Sequence, residues 1–171
     1  MSELVEENLE YVKATFRYLG KTETDPVFYI DVPQSAQTSK PPLFDKPLIS
    51  IYNVRPAINN VSLEENGFEF AFEKLPCLDF LNQNTVREEY YPKSEKLVAE
   101  KTGAHRVIAF DHNIRDYELA ATDKRVNNPV RFVHNDYTES SGPQRIRDLL
   151  GSCADELLKN RYAFINVWRP L

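Results

Sequence analysis

Pro129-Val-Arg-Phe-Val-His-Asn-Asp-Tyr137 is the stretch on which the reading of this chain turns. Its apolar lead-in, Val130, Phe132 and Val133, reads as a strand that ends by presenting His134 and Asp136. Residues i and i+2 of a strand project from the same face. An imidazole nitrogen and a carboxylate oxygen at that spacing point side by side toward one metal ion. Such a pair, joined by one distant histidine, makes the 2-His-1-carboxylate triad that holds Fe(II) in non-heme oxygenases. By spacing alone the same two residues also read as a solvated loop pair. No histidine follows Asp136. His105 and His112 flank the candidate strand Arg106–Phe110 and could each serve as a third donor, but plain strand-end histidines are the simpler reading.

The rest of the composition bounds the problem. At 171 residues the chain fits a single domain, 1–171, with room for a core. Hydrophobic content of 42% and charged content of 27% exclude wholesale disorder. The net charge is −5 and the cations are interspersed with acids, so no basic footprint for nucleic acid forms. Cys77 and Cys153 lie far apart without a CxxC spacing, which suggests neither a zinc ribbon nor a disulfide framework and fits a reduced, cytoplasmic setting. The opening Met1-Ser-Glu-Leu-Val-Glu-Glu-Asn8 is acidic and unlike a signal peptide, and no apolar run nears the ~20 residues of a membrane helix. The expected partner is a small molecule, not nucleic acid or membrane.

Local patterns give the element order. Val12, Ala14, Phe16 and Tyr18 alternate as a strand would. Residues 32–47, with Pro33, Pro41, Pro42 and Pro47, read as an extended surface loop, and Leu48–Tyr52 as a strand. Val61-Ser-Leu63, the turn Asn66-Gly67 and alternating Phe68, Phe70 and Phe72 predict a hairpin. Thr85-Val-Arg-Glu88 is a capping-box pattern opening a helix toward Gly103, split or kinked by Pro92. Arg106–Phe110 reads as a buried strand, residues 112–128 as a polar loop, and Val130–Val133 as the strand carrying His134. Ser141 and Pro143 begin a second helix with Ile146, Leu149, Leu150, Cys153, Leu157 and Leu158 on one stripe, which Gly151 weakens slightly. Tyr162–Trp168 closes as a strand. The order predicts a mainly β chain with inserted helices (α+β), a sandwich-type core with helical decoration rather than a doubly wound sheet.

Asn166-Val-Trp168-Arg169-Pro170 is the other run that could carry chemistry. Asn166, Trp168 and the Arg169 side chain share a face if the strand reaches 169, and the guanidinium could then receive a carboxylate bidentately. A strand end with a packed Trp and a solvated Arg is the alternative. Arg55 and Arg115 are further cations with a solvated reading, and Tyr90-Tyr91 reads as packing.

Taken together, Tyr52-Asn-Val-Arg55, Ser62-Leu-Glu-Glu-Asn-Gly-Phe68, Tyr90-Tyr-Pro92, Thr102-Gly-Ala-His-Arg-Val107, Phe110-Asp-His-Asn-Ile-Arg115, Val133-His-Asn-Asp-Tyr137 and Ile165-Asn-Val-Trp-Arg-Pro170 run in an order that resembles the fungal AsaB-like hydroxylase/desaturase family. That family includes a gibberellin desaturase and relatives of the cephamycin 7α-methoxylase component. The resemblance implies a partial double-stranded β-helix, jelly-roll or cupin-like, that uses Fe(II), 2-oxoglutarate and O2 to hydroxylate or desaturate a small secondary metabolite. His134 and Asp136 match the family's first two iron ligands. Asn166, Trp168 and Arg169 match its Asn-x-Trp-Arg-Pro motif, placed near the cofactor. Members continue past that motif, so the resemblance further implies an N-terminal part of a longer oxygenase domain, without the distal iron His and the 2-oxoglutarate Arg. The alternative expectation is a truncated, catalytically inactive relative that serves as a binding or partner module, with a protein partner or as a homo-oligomer.

Overall fold

A computed structural model of the chain describes residues 9–21, 43–74 and 78–170. They fall into two units, one built from residues up to Phe70 with Val130–His134, the other from Ala71–Pro129 with Asn135 onward.

In the first unit the predicted alternation forms strands β1 (Tyr11–Thr15) and β2 (Tyr18–Leu19), which face β3 (Phe44–Asp45) and β4 (Leu48–Tyr52). Residues 32–42 of the expected loop lie outside the described residues, and Phe44–Asp45, expected as loop, is strand. β1 and β4 pair antiparallel from Tyr11↔Tyr52 to Thr15↔Leu48, and β2 pairs with β3 at Tyr18↔Asp45 and Leu19↔Phe44. Both pairs keep one register, interrupted at Phe16 and Arg17. Pro47 explains the gap. Phe16 donates its N–H to the Pro47 carbonyl (3.1 Å), but Pro47 has no N–H with which to reciprocate. Arg17 presents its carbonyl at this gap, where the N–H of Val133 donates to it at 2.8 Å. Val130–Val133 is held there without forming a regular strand, contrary to expectation.

The predicted Asn66-Gly67 hairpin is instead a short helix, α1 (Leu63–Asn66). The hydroxyl of Ser62 accepts from the Glu65 N–H (3.3 Å), while the Asn66 side chain accepts from the Ser62 N–H (3.0 Å). Gly67 sits at φ 76° and closes the helix through its N–H to the Leu63 carbonyl. The left-handed glycine that a hairpin needs is the same one that a helix C-terminus needs. The side-chain bonds at Ser62 settle between them.

The second unit is led by α2 (Gln83–Thr85), a π-helical stretch (Val86–Tyr90) and α3 (Tyr91–Thr102). The cap is Asn82, whose side-chain oxygen accepts from the N–H groups of Asn84 (3.0 Å) and Thr85 (3.3 Å). Thr85, expected as the cap, already has helical angles. Pro92 does not split the helix. The N–H of Tyr91 reaches five residues back to Val86, and that wide turn accommodates the missing donor of Pro92.

Residues 106–110 form no strand. Their Ala109 N–H goes to the Glu95 carboxylate of α3 at 2.8 Å. The expected polar loop contains a short parallel pair, β5 (Ile114–Arg115) with β6 (Val126–Asn127). α4 (Ser141–Leu150) begins where expected, through reciprocal bonds between Thr138 and Ser141: the Thr138 N–H donates to the Ser141 hydroxyl (2.9 Å) and the Ser141 N–H to the Thr138 hydroxyl (3.1 Å). Gly151, at φ 56° and ψ −129°, ends α4 outright, and a 3-10 turn leads into α5 (Ala154–Leu157). Leu149 and Cys153 of the predicted stripe are exposed, while Ala154 is fully buried.

Among the described residues, then, strands are few and short while helices are several, less β than the sequence patterns suggest. Helices satisfy their backbone groups internally, whereas a strand needs a neighbour. Tyr162–Trp168 has the composition of a strand and no ladder partner among the described residues.

Candidate metal centre

His134 is held from the first unit. The ring of Phe132 packs on Phe44 (5.7 Å between centroids), over which the Arg17 guanidinium also lies at 4.5 Å. With Val133 tied to Arg17, the His134 ring comes to rest 5.3 Å from that of Phe132. Its Nδ1 lies 3.2 Å from the Phe132 carbonyl oxygen. A carbonyl only accepts, so Nδ1 is the donor in this bond.

Asp136 is held from the second unit, whose boundary falls just after His134. Its Oδ2 accepts from the side-chain amide of Asn166 at 2.8 Å. An aromatic cluster brings these two stretches together. Tyr137 stacks on Phe164 with centroids 4.0 Å apart, and Phe110 meets both rings edge-on. Buried Gly142, at the start of α4, lets Phe164 come close. A Cβ there would stand 3.3 Å from the ring. Sequence reasoning overlooked Phe132 as an acceptor and Phe164 as the wedge. Phe164 was nonetheless signalled by its strand spacing from Asn166.

Both members of the pair therefore have a partner that orients the ring or carboxylate. Ligating histidines commonly donate their second N–H to a carbonyl, and ligating carboxylates are themselves hydrogen-bonded. A nitrogen and a carboxylate oxygen are also donors that suit Fe(II). They are two donors, and among the described residues no group of three His, Cys, Asp or Glu side chains converges as a metal site. His105 is exposed. The Nδ1 of His112 is hydrogen-bonded to the Tyr91 hydroxyl (2.8 Å), whose phenol is pushed up by burial and then by the Asp111 charge. Tyr91 thus has a polar partner beyond the packing expected of it, whereas Tyr90 does pack, edge-on to Phe80.

Of the remaining residues of interest, Trp168 is 82% exposed. Arg169 is half-buried. Both of its terminal nitrogens donate to the Glu73 carbonyl at 3.4 Å, and its Nε is buried without a hydrogen-bond partner. Arg115 donates to the Asn128 carbonyl (2.9 Å), and Arg55 is exposed. No helix among the described residues is long and apolar enough to cross a membrane.

Residues 9–171 match the family model described as an oxidoreductase/YMDC permease-like domain. Oxidoreductase AN1597 of Emericella nidulans is 32% identical over 128 residues, 71% of this chain and 43% of that protein. The alpha-ketoglutarate-dependent dioxygenase phiK of a fungal species is 30% identical, across 64% of this chain and 41% of that protein. The solved iron and alpha-ketoglutarate-dependent endoperoxidase NvfI superposes with a TM-score of 0.72 at 21% identity, covering 87% of this chain and 55% of that one. The shared fold is that of the iron- and 2-oxoglutarate-dependent oxygenases, a double-stranded β-helix, of which this chain carries a part. The chain spans about half the length of these relatives. It belongs to the oxidoreductase/YMDC permease-like family and is similar to fungal proteins named alpha-ketoglutarate-dependent dioxygenase and hydroxylase/desaturase.

Proposed function

We propose that this chain is the ligand-bearing first part of an Fe(II)- and 2-oxoglutarate-dependent oxygenase domain that hydroxylates or desaturates a small secondary metabolite in the cytoplasm. The observation that carries this reading is the pair of orienting bonds, His134 Nδ1 to the Phe132 carbonyl and Asn166 to the Asp136 carboxylate. His134 through Nε2 and Asp136 through its carboxylate would hold the iron. When bound, iron with 2-oxoglutarate and O2 supplies the oxidising power that C–H cleavage needs. The share of this chain is positional. The Phe132 carbonyl fixes the tautomer of His134, and the Tyr137–Phe164 stack sets the stretch that carries Asp136. Asn166, Trp168 and Arg169 belong to the cosubstrate side in this reading, supported by the unpartnered Nε–H of Arg169, a donor suited to a carboxylate.

The test is an anaerobic Fe(II) titration of the 171-residue chain, with and without 2-oxoglutarate. Weak one-to-one binding is expected, lost in His134→Ala and in Asp136→Ala. Unchanged stoichiometry in those variants would sink the ligand assignment. A second reading, an inactive binding or partner module, draws on the lack of a third donor among the described residues. It predicts stable folding with no saturable iron uptake.

A further inference from the structure

We infer that Asn166 is a positioning residue for Asp136, setting the orientation in which the carboxylate meets a divalent metal. The inference rests on the iron-ligand reading above. The amide nitrogen of Asn166 donates to Asp136 Oδ2 at 2.8 Å across thirty residues of sequence.

Stability does not account for this bond. Both side chains are exposed, and a hydrogen bond that water can replace contributes only ~1 kcal/mol or less. Rigid parts of the unit nevertheless hold the two groups in place. Tyr137, next to Asp136, stacks on Phe164, two residues before Asn166, at 4.0 Å and 21° between planes. Gly142 lies close against the Phe164 ring, where a Cβ would stand only 3.3 Å away, and the Arg145 guanidinium lies 4.9 Å over Phe110, the third ring of the cluster. A half-buried aromatic wedge thus anchors a polar contact that lies in solvent. That arrangement suits a carboxylate which must stay accessible yet keep one rotamer. Asn in this place is also chemically apt. A neutral amide donates to the carboxylate without cancelling the charge that a cation requires, as Lys or Arg would.

Mn(II) added to the 15N-labelled full chain tests the inference by paramagnetic broadening of backbone signals at residues 134–137. Thermal melting runs in parallel. Wild type should broaden saturably, and Asp136→Ala should lose the effect. Asn166→Ala and the near-isosteric Asn166→Leu should weaken apparent Mn(II) affinity about 10- to 100-fold with little change in melting. Asn166→Gln, which keeps the amide donor, should retain more affinity than Asn166→Leu. Wild-type affinity in both Asn166→Ala and Asn166→Leu, with Asp136→Ala inactive, overturns the positioning role and leaves the ligand reading standing. Broadening that survives Asp136→Ala, or no saturable broadening in wild type, overturns the ligand reading instead.

Discussion

Asp123 receives the Arg125 guanidinium on both carboxylate oxygens, from Nε at 3.0 and 3.2 Å and from Nη2 at 2.6 Å, and the Arg125 backbone N–H besides. The side-chain bonds from Arg125 first, then that backbone bond, hold its carboxyl down to about 2. An unfolded Asp titrates near ~3.9. The folded group is depressed, so its contribution to stability is complete above the unfolded value and fades as pH falls through about 2. An NMR titration of the Asp123 carboxyl carbon should give that low midpoint in wild type and a return toward the ordinary carboxylate range in Arg125→Ala. A midpoint that stays low in the variant would assign the depression to another group. Gly142 makes the opposite kind of demand, for empty space rather than charge. Gly142→Ala puts a methyl 3.3 Å from the Phe164 ring, and forcing that contact should cost about 1–3 kcal/mol in chemical denaturation. Full stability in this variant would mean that the ring gives way freely.

Helix ends show how far local sequence carries at the scale of elements. Thr85-x-x-Glu88 has the capping-box pattern, but Asn82 makes the bonds and adopts the extended angles that a cap requires. Asn82→Ala should therefore cost about 1 kcal/mol, with Thr85→Ala costing distinctly less. Equal losses, or a larger loss at Thr85, would restore the pattern-based boundary. The Ser62–Gly67 segment teaches the same point in reverse. Its Asn-Gly dipeptide fits a hairpin and a helix C-terminus alike, and the bonds of Ser62 and Asn66 choose the helix. Leu48–Tyr52 needed no such arbitration. Its strand was plain from the sequence, because a partner of matching pattern at Tyr11–Thr15 lies in the same chain. Arg106–Phe110 and Tyr162–Trp168 looked equally strand-like and form none, since no described segment completes their ladders.

Among the described residues, burial is sparse for a chain with 42% hydrophobic residues. The buried apolar side chains among the described residues are Val61, Val86, Val126 and Ala154, while Phe72, Leu43 and Trp168 are largely exposed. Trp168 is the single tryptophan in the sequence, so its fluorescence reports on this surface without ambiguity. Its emission should be red-shifted and quenched by acrylamide nearly as readily as free indole. Protected, blue-shifted emission from the purified chain would show that another surface covers it. The relatives are about twice as long as the aligned stretch, and in a longer homologue the Asn-x-Trp-Arg-Pro run should be the better protected one.

The run of motifs around His134 and Asp136 was sufficient to identify the family, because motif order is written directly in a sequence. So were β1, β4 and the start of α4, where the pattern and its partner are both local or strongly periodic. The remainder depended on contacts the pattern does not show: the break at Pro47 that lets Arg17 receive Val133, the choice of Asn82 over Thr85, and the meeting of Asn166 with Asp136 beside the Tyr137–Phe164 stack. A hydrogen bond across thirty residues leaves no periodic trace, so only the tertiary structure could decide it.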